Sequence, residues 1–313
     1  MSSGRRWLGL VGLVTTLLIG IAVALAPWLA PFDPNAPALR DALTPPRWGH
    51  TFGHDELGRD VLSRVLYGGR TSLLIGVGSV MGGLMVGGVA GVLAGYRGGW
   101  TDALIMRGAE VPQVFSGFIL AIWAVAVLGP GTLNVVTALA LRSVPVFARL
   151  GRNVTVSLRE RQFVEAATAM GSDEARILAR HLLPHLISPL LVVATLRVGS
   201  AIVVGASLSF LGLGVPVEVP EWGVMVKNGM SYMRLGAYHL VLFPGLAIMV
   251  TVLGLNLLGE DLRDRWTLRS ATGEGRVGRR GGARGDEGAL GLHEGAVPAS
   301  DRWRNRLGLR RSR

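Results

Sequence analysis

The sequence is divided into apolar runs, each close to a lipid bilayer in length. Residues 7–30, 71–96, 111–128, 190–209 and 237–258 form five of them, and a shorter one opens at Thr132 and fades near Leu141. A helix needs about 20 apolar residues to cross a hydrocarbon core about 30 Å thick. Lipid offers the backbone no hydrogen-bond partners, so such runs must satisfy their peptide groups within helices. The expected fold class is an all-α polytopic membrane protein with six transmembrane helices.

The segments between the runs carry the rest of the pattern. Arg5 and Arg6, in a short N-terminal segment 1–6, precede the first run. Ala22, Ala24 and Ala26 resemble a signal-peptide cleavage region, but the run is longer than such a peptide's apolar core, so a retained span at 7–30 is expected. Segment 31–70 is polar and ends with Val61, Leu62, Val65 and Leu66 on one helical face and Asp60, Ser63 and Arg64 on the other. That pattern predicts a short helix lying in the membrane interface. His50, His54, Asp55 and Glu56 have ligand chemistry, yet Pro45, Pro46 and Gly49 interrupt a regular helix there, and loop polarity rather than a metal site is expected. In the second run Gly83, Gly87, Gly91 and Gly95 recur every four residues, with Gly78 and Gly82 at the same spacing. A glycine ridge lets another helix approach closely, and packing is the expected role.

Residues 97–107 read as a polar turn, and Gly129-Pro130-Gly131 as a tight one. Arg142 and Pro145 interrupt the fourth span. Arg197 lies inside the fifth, where a charge marks either a functional site or a side chain paired or snorkelling in the interior. Residues 210–230 hold too many glycines and prolines for a regular span and read as a re-entrant or external loop. From Trp266 the composition turns to Gly, Arg and scattered acids, which predicts a disordered tail over 266–313, with its arginines free to touch anionic lipid.

One polar island, 149–189, stands between the fourth and fifth spans. Residues 161–170 read as a short helix carrying Glu165, Ala166 and Ala167. Gly171 ends it, because glycine takes the left-handed conformation without a Cβ clash. Ser172 is placed to cap a second helix, and Asp173 and Glu174 suit its positive end. Pro184 and Pro189 limit the regular continuation. With the N-terminus inside, the island and the tail fall in the cytoplasm. The island and its approach then hold seven arginines between Arg142 and Arg180, as the positive-inside rule requires.

The net charge of +11 therefore follows the loops rather than a nucleic-acid-binding face. With no cysteine, thiol catalysis and disulfides are excluded. Lys227 is the only lysine and no glycine-rich loop precedes it, so the chain has no phosphate-binding loop of its own. No catalytic constellation appears.

Glu165-Ala166-Ala167, Gly171 and Leu183-Pro184, in this register within a long inside loop, resemble the EAA loop of the permease subunits of binding-protein-dependent ABC importers. The likeness extends to HDELGRDVLSRVLYGGRTSLLIG (54–76), SLSFLGLG (207–214), Glu221-Trp222-Gly223 and FPGLAIMVTVLGLNLLGEDLRD (243–264). These are similar to the second, C-type permease of dipeptide, oligopeptide and nickel importers. The resemblance implies a type I importer permease fold: a core over 71–265 with the cytoplasmic helix–Gly–helix loop at 149–189. It implies as partners a homologous second permease, two ABC ATPase subunits that bind ATP and Mg, and an extracytoplasmic solute-binding protein. No cofactor is expected on this chain. Glu165, Ala166, Ala167, Gly171, Arg161, Leu183 and Pro184 are implied to couple to the ATPase. The chain departs from the pattern at Gly205, where the family usually has Glu, and at Glu110, Val144 and His185. Nickel or another small solute is an alternative cargo, and an ion-driven secondary transporter is the rival class. Against the rival, the span interiors hold almost no Asp or Glu.

Overall fold

The computed structural model describes residues 3–282. Among them the elements are helices α1 (Ser3–Ala24), α2 (Ala26–Leu29), α3 (Val61–Arg97), α4 (Gly99–Glu110), α5 (Gly117–Leu128), α6 (Thr132–Arg159), α7 (Gln162–Ala169), α8 (Glu174–Ile177), α9 (Leu183–Phe210), α10 (Trp222–Met230) and α11 (His239–Gly282). Short 3-10 turns and one π-helical turn, Leu178–Leu182, link some of them. Five helices are long and apolar enough to cross a membrane, and a sixth crossing is available if the bent pair Gly99–Val114 and Gly117–Leu128 counts as one span. This agrees with the all-α, multi-span expectation.

The glycine ridge sets the centre of the fold. α3 packs chiefly on α6. A β-carbon at Gly83 would fall 2.5 Å from Ser143 Cβ, and one at Gly95 2.7 Å from the Arg152 carbonyl oxygen. Between them, Gly87 and Gly91 face the carbonyl oxygens of Val144 and Ala148. The two backbones therefore touch along about three turns, close enough that only glycine fits on the α3 side. Gly205 of α9 plays the same part against α3: its β-carbon would lie 2.7 Å from Ile75 Cγ2. The departure from the family's usual Glu thus coincides with close helix packing.

Several boundaries differ from expectation, each for a packing reason. The interfacial helix is instead the first turns of α3, which runs unbroken from Val61 to Arg97. Val61 and Arg64 are buried in protein at 0% and 2% exposure, while Leu62 and Leu66 stay partly exposed, so the face expected to meet water is the one covered by protein. The polar turn at 97–107 shrinks to Gly98, whose positive φ of 67° ends α3, and α4 follows at once. The third span is not straight: α4 with its 3-10 turn Val111–Val114 meets α5 at 91°, beside Pro112. Pro145 does not stop α6, because Phe147, Ala148, Gly151, Thr155 and Leu158 keep its buried face in helical register beyond the proline. The polar island accordingly contracts, its first residues belonging to α6 and its last to α9. The loop after Phe210 makes no further span, as expected, and contributes the short helix α10.

By its contacts the chain divides after Trp266, and the described residues 267–282 belong to the second unit. Helix α11 is continuous to Gly282, so 266–282 are helical where disorder was expected. No proline follows Pro244 in that helix to end it. The remainder of the expected tail, 283–313, lies outside the described residues.

Candidate functional site

α6 ends at Arg159 and the chain turns sharply, the Arg161 N–H donating to the Leu158 carbonyl at 3.1 Å. α7 then lies across the end of the bundle, held by Val164 and Ala167. These share a buried cluster with Leu158, Ile177, Leu182 and Leu186. The spacing of three puts both on one face. Glu165 and Ala166 consequently face outward with Met170, which is 80% exposed. Ala167 belongs to the protein's own core and offers no docking surface, unlike Ala166.

Gly171 has φ +76°, with nothing within 4 Å of a would-be β-carbon. The Ser172 N–H donates back to the Ala167 carbonyl at 3.1 Å, a six-to-one bond that closes a Schellman motif around Gly171. The next helix begins one residue later than expected. The Asp173 carbonyl, not Ser172's, accepts its first bond from the Ile177 N–H at 3.0 Å. Leu183 and Pro184 open α9 directly after the π-helical turn, where the Leu183 N–H donates to the Leu178 carbonyl and the widened turn accommodates a proline that has no N–H to give. Both are exposed, as are Arg161, Arg176 and Arg180. Phe163 stacks on His185 at 5.6 Å between ring centres, and His185 Nδ1 meets the His181 carbonyl at 2.9 Å. This pins α7 to the start of α9.

A groove of about 890 Å³ separates α7 from the corner between α3 and α4, lined among others by Tyr96, Asp102, Arg159, Glu160, Glu165 and Glu174. Its walls are braced. Arg152 donates through two nitrogens to both Asp102 oxygens at 2.5 Å, and Arg159 donates to the Tyr96 carbonyl at 2.9 Å. The arrangement is a rigid, exposed helix–Gly–helix ridge with mixed charge, suited to seating in another protein.

At the opposite end of the bundle, segment 31–60 forms a cap that sequence reasoning passed over. Arg59 donates to Asp55 Oδ2 at 2.6 Å, and Arg64 Nε lies 3.4 Å from the same oxygen; all three residues are buried. Arg59 also reaches Glu56, which accepts from Asn228 of α10 at 3.3 Å. Arg64 donates to the Pro34 carbonyl. Asp60 caps α3, accepting from the Ser63 N–H and hydroxyl at 2.8 Å each. Glu221, 1% exposed, accepts from the Ser72 hydroxyl and the Val224 N–H, and Trp222 donates to the Val65 carbonyl. Acid and base four apart were the legible signal for Asp55 with Arg59; Arg64 stands four after Asp60 but pairs with Asp55 instead.

The cap also holds the two histidines. His50 Nδ1 lies 3.1 Å from Asp60 Oδ1, and His54 Nδ1 2.6 Å from the Thr44 hydroxyl. That hydroxyl donates its one hydrogen to the Asp41 carbonyl, so the His54 nitrogen is the donor in their contact. Burial, and then the neighbouring charge of His50, hold His54 below the ordinary histidine range. Its stabilising contribution is therefore complete above about pH 6.5 and is lost as pH falls through the lowered value. Melting curves of the purified protein are expected to shift downward on going from about pH 7.5 to 5.5, and His54→Gln should flatten that dependence. An unchanged slope in the variant would assign the effect elsewhere.

Comparison with known proteins adds to this geometry. Residues 87–265 match the family model described as binding-protein-dependent transport system inner membrane component, and residues 5–46 match the N-terminal TM domain of oligopeptide transport permease C. The glutathione transport system permease protein GsiD of Pectobacterium atrosepticum is 46% identical over 254 residues, 81% of this chain and 84% of that protein. Its counterpart in Escherichia coli O6:K15:H31 is 44% identical over 261 residues, 83% and 86% of the two chains. The dipeptide transport system permease protein DppC of Alkalihalophilus pseudofirmus is 40% identical over 260 residues, 83% and 85%.

Proposed function

The chain belongs to the family of binding-protein-dependent transport system inner membrane components, and from that premise we propose that it forms half of the translocation path of a peptide importer. The cargo is a short peptide of the dipeptide or glutathione class, since the relatives named for those cargoes match over four fifths of the chain. The other half is a homologous permease, ATP and Mg are bound by two ATPase subunits, and a solute-binding protein delivers cargo from outside. Both termini and the α7–α8 ridge face the cytoplasm; the cap of segment 31–60 faces outward. Positive charge clustered near the ridge supports that orientation.

The observation that carries the coupling role is the exposed helix–Gly–helix ridge anchored by Val164 and Ala167. When nucleotide draws the ATPase subunits together, a ridge seated on one of them moves as a body. Outward-facing Glu165 makes a charge-assisted contact there, and Ala166 permits close approach. Arg161, Arg176 and Arg180 add attraction to an acidic rim. Leu183 and Pro184 carry the motion into α9. Closure thus shifts the spans between inward- and outward-open states.

The test is to tag the chain, extract it gently from native membranes and identify its companions. A second permease and ATPases with phosphate-binding loops are expected. Purification alone from an active preparation would overturn the reading. In the recovered complex, Glu165→Lys and Gly171→Asp are expected to abolish peptide uptake while insertion stays intact. Normal uptake in both would remove the coupling role.

A further inference from the structure

Arg142 and Arg197 lie within membrane spans, and both are only half-buried. Arg142 stands on α6 about 15 Å from the Thr132 end, and Arg197 on α9 about 20 Å from the Phe210 end. Those ends lie on one side of the bundle, joined by the hydrogen bond from the Gly131 N–H to the Gly214 carbonyl at 3.1 Å. The α4–α5 break falls at matching depth, since α5 extends about 18 Å from Gly117 to Leu128. All three features therefore sit near the middle of a hydrocarbon core about 30 Å thick.

They also sit together. A β-carbon at Gly117 would fall 2.5 Å from Arg142 Nε, so the guanidinium stem lies against the first residue of α5. Arg197 stands on α9, which packs on α6 with Gly205 beside Leu139, and its depth is within about 5 Å of that of Arg142. About two turns away, Arg149 donates to Gln113 of the 3-10 turn just before the break. Neither Arg142 nor Arg197 has an ion-pair or hydrogen-bond partner among the described residues. Two like charges at mid-membrane repel each other and lack a counter-ion, an arrangement that proteins keep where a water-filled path brings an anion to them.

We propose that Arg142 and Arg197 form a mid-membrane station that binds a carboxylate of the translocated peptide, beside the break between α4 and α5. This inference rests on the peptide-importer reading above. Every unmodified short peptide carries a terminal carboxylate, and glutathione carries two. A guanidinium binds that group through paired, charge-assisted bonds whatever the side chains, which suits cargo of varied sequence. The station holds the carboxylate while the outer end closes and releases it when the spans tilt apart.

The experiment uses the complete complex in proteoliposomes, with radiolabelled tri-alanine and glutathione as probes. Uptake is read beside complex recovery and ATPase stimulation by the loaded binding protein. Arg142→Gln and Arg197→Gln are expected to lower uptake roughly tenfold or more, with recovery and stimulated ATPase close to wild type. Arg→Lys at either position should restore most of the uptake. Gly117→Asp, which sets a carboxylate against Arg142 and occupies the station from within, should lower uptake as far, and neutral Gly117→Asn much less. Uptake near wild type in the Gln variants overturns the proposal. So does a parallel fall in uptake and stimulated ATPase at wild-type recovery, which would place the arginines in coupling rather than in cargo binding. If the Gln variants do not assemble, unchanged uptake in Gly117→Asp overturns it. If wild-type complex carries neither probe, the peptide reading itself falls and takes the station with it.

Discussion

A leucine at Gly91 is expected to leave almost no assembled protein. The position faces the Ala148 carbonyl oxygen across the α3–α6 seam, with the Ala148 Cα beside it. These are backbone atoms in mid-helix and cannot rotate aside. Any side chain must force the two helices apart along the ridge, where Gly87 meets Val144 in the same way. Even alanine overpacks this contact, at a cost of about 1–3 kcal/mol that its better helix propensity only partly offsets. Leucine multiplies the misfit. Gly88, one residue away, is the control: its β-carbon would find only Leu84 and Leu190 side chains, at 3.7 and 3.9 Å. Gly88→Ala should melt at or above the wild-type temperature in detergent, while Gly91→Leu should appear as aggregate on size-exclusion chromatography. A monodisperse Gly91→Leu protein with wild-type melting would show that the α3–α6 seam has room for a side chain.

The second large effect is expected from Asp55→Ala. Asp55 is 5% exposed and shares one carboxylate between Arg59 and Arg64, themselves 6% and 2% exposed. Removing it leaves buried guanidinium charge without its partner, a loss of about 3–5 kcal/mol. It also removes the acceptor of the Leu57 and Arg59 N–H groups, which shape the turn before α3. The cap of segment 31–60 should open first. Limited proteolysis is expected to cut within 35–60 in the variant and not in the wild type, with a lowered melting temperature. Glu56→Gln, at a more exposed site that keeps a hydrogen-bond acceptor, should lose much less. Equal protease resistance in Asp55→Ala would mean the cap stands without its ion pairs.

Much of this molecule was legible before its structure, because a bilayer imposes length and apolarity on every span. The helix–Gly–helix ridge was equally readable, since only glycine takes Gly171's φ of +76° without strain. What sequence did not reveal lies where tertiary contacts override local signals. Pro145 reads as a break, yet the buried stripe from Val135 to Leu158 carries α6 through it. Asp60, Ser63 and Arg64 read as a solvent-facing stripe, but the cap covers them and turns a surface helix into the root of α3. Ala167 looks like its neighbour Ala166, and only the placement of Leu182 and Leu186 decides that it points inward. The ninety-degree break before Gly117 has no local signature beyond Pro112.

The π-helical turn at Leu178–Leu182 joins the lever to the fifth span without a loop between them. The helical rod from Leu178 to Phe210 contains 33 residues, about 50 Å of continuous helix. Its inner third is the pliable part, because the π turn, Pro184 and Pro189 each interrupt the regular bond ladder. From Leu190 to Phe210 the helix holds no proline, about 30 Å of stiff rod. At the Phe210 end Ser209 holds the Val215 N–H, and the Ala206 carbonyl lies against Gly223 of α10. A load on α10 is therefore carried down the helix as far as Pro189 and absorbed in the turns before it, so the stretch from Leu178 to Pro189 is the hinge of this helix and the stretch beyond it the strut.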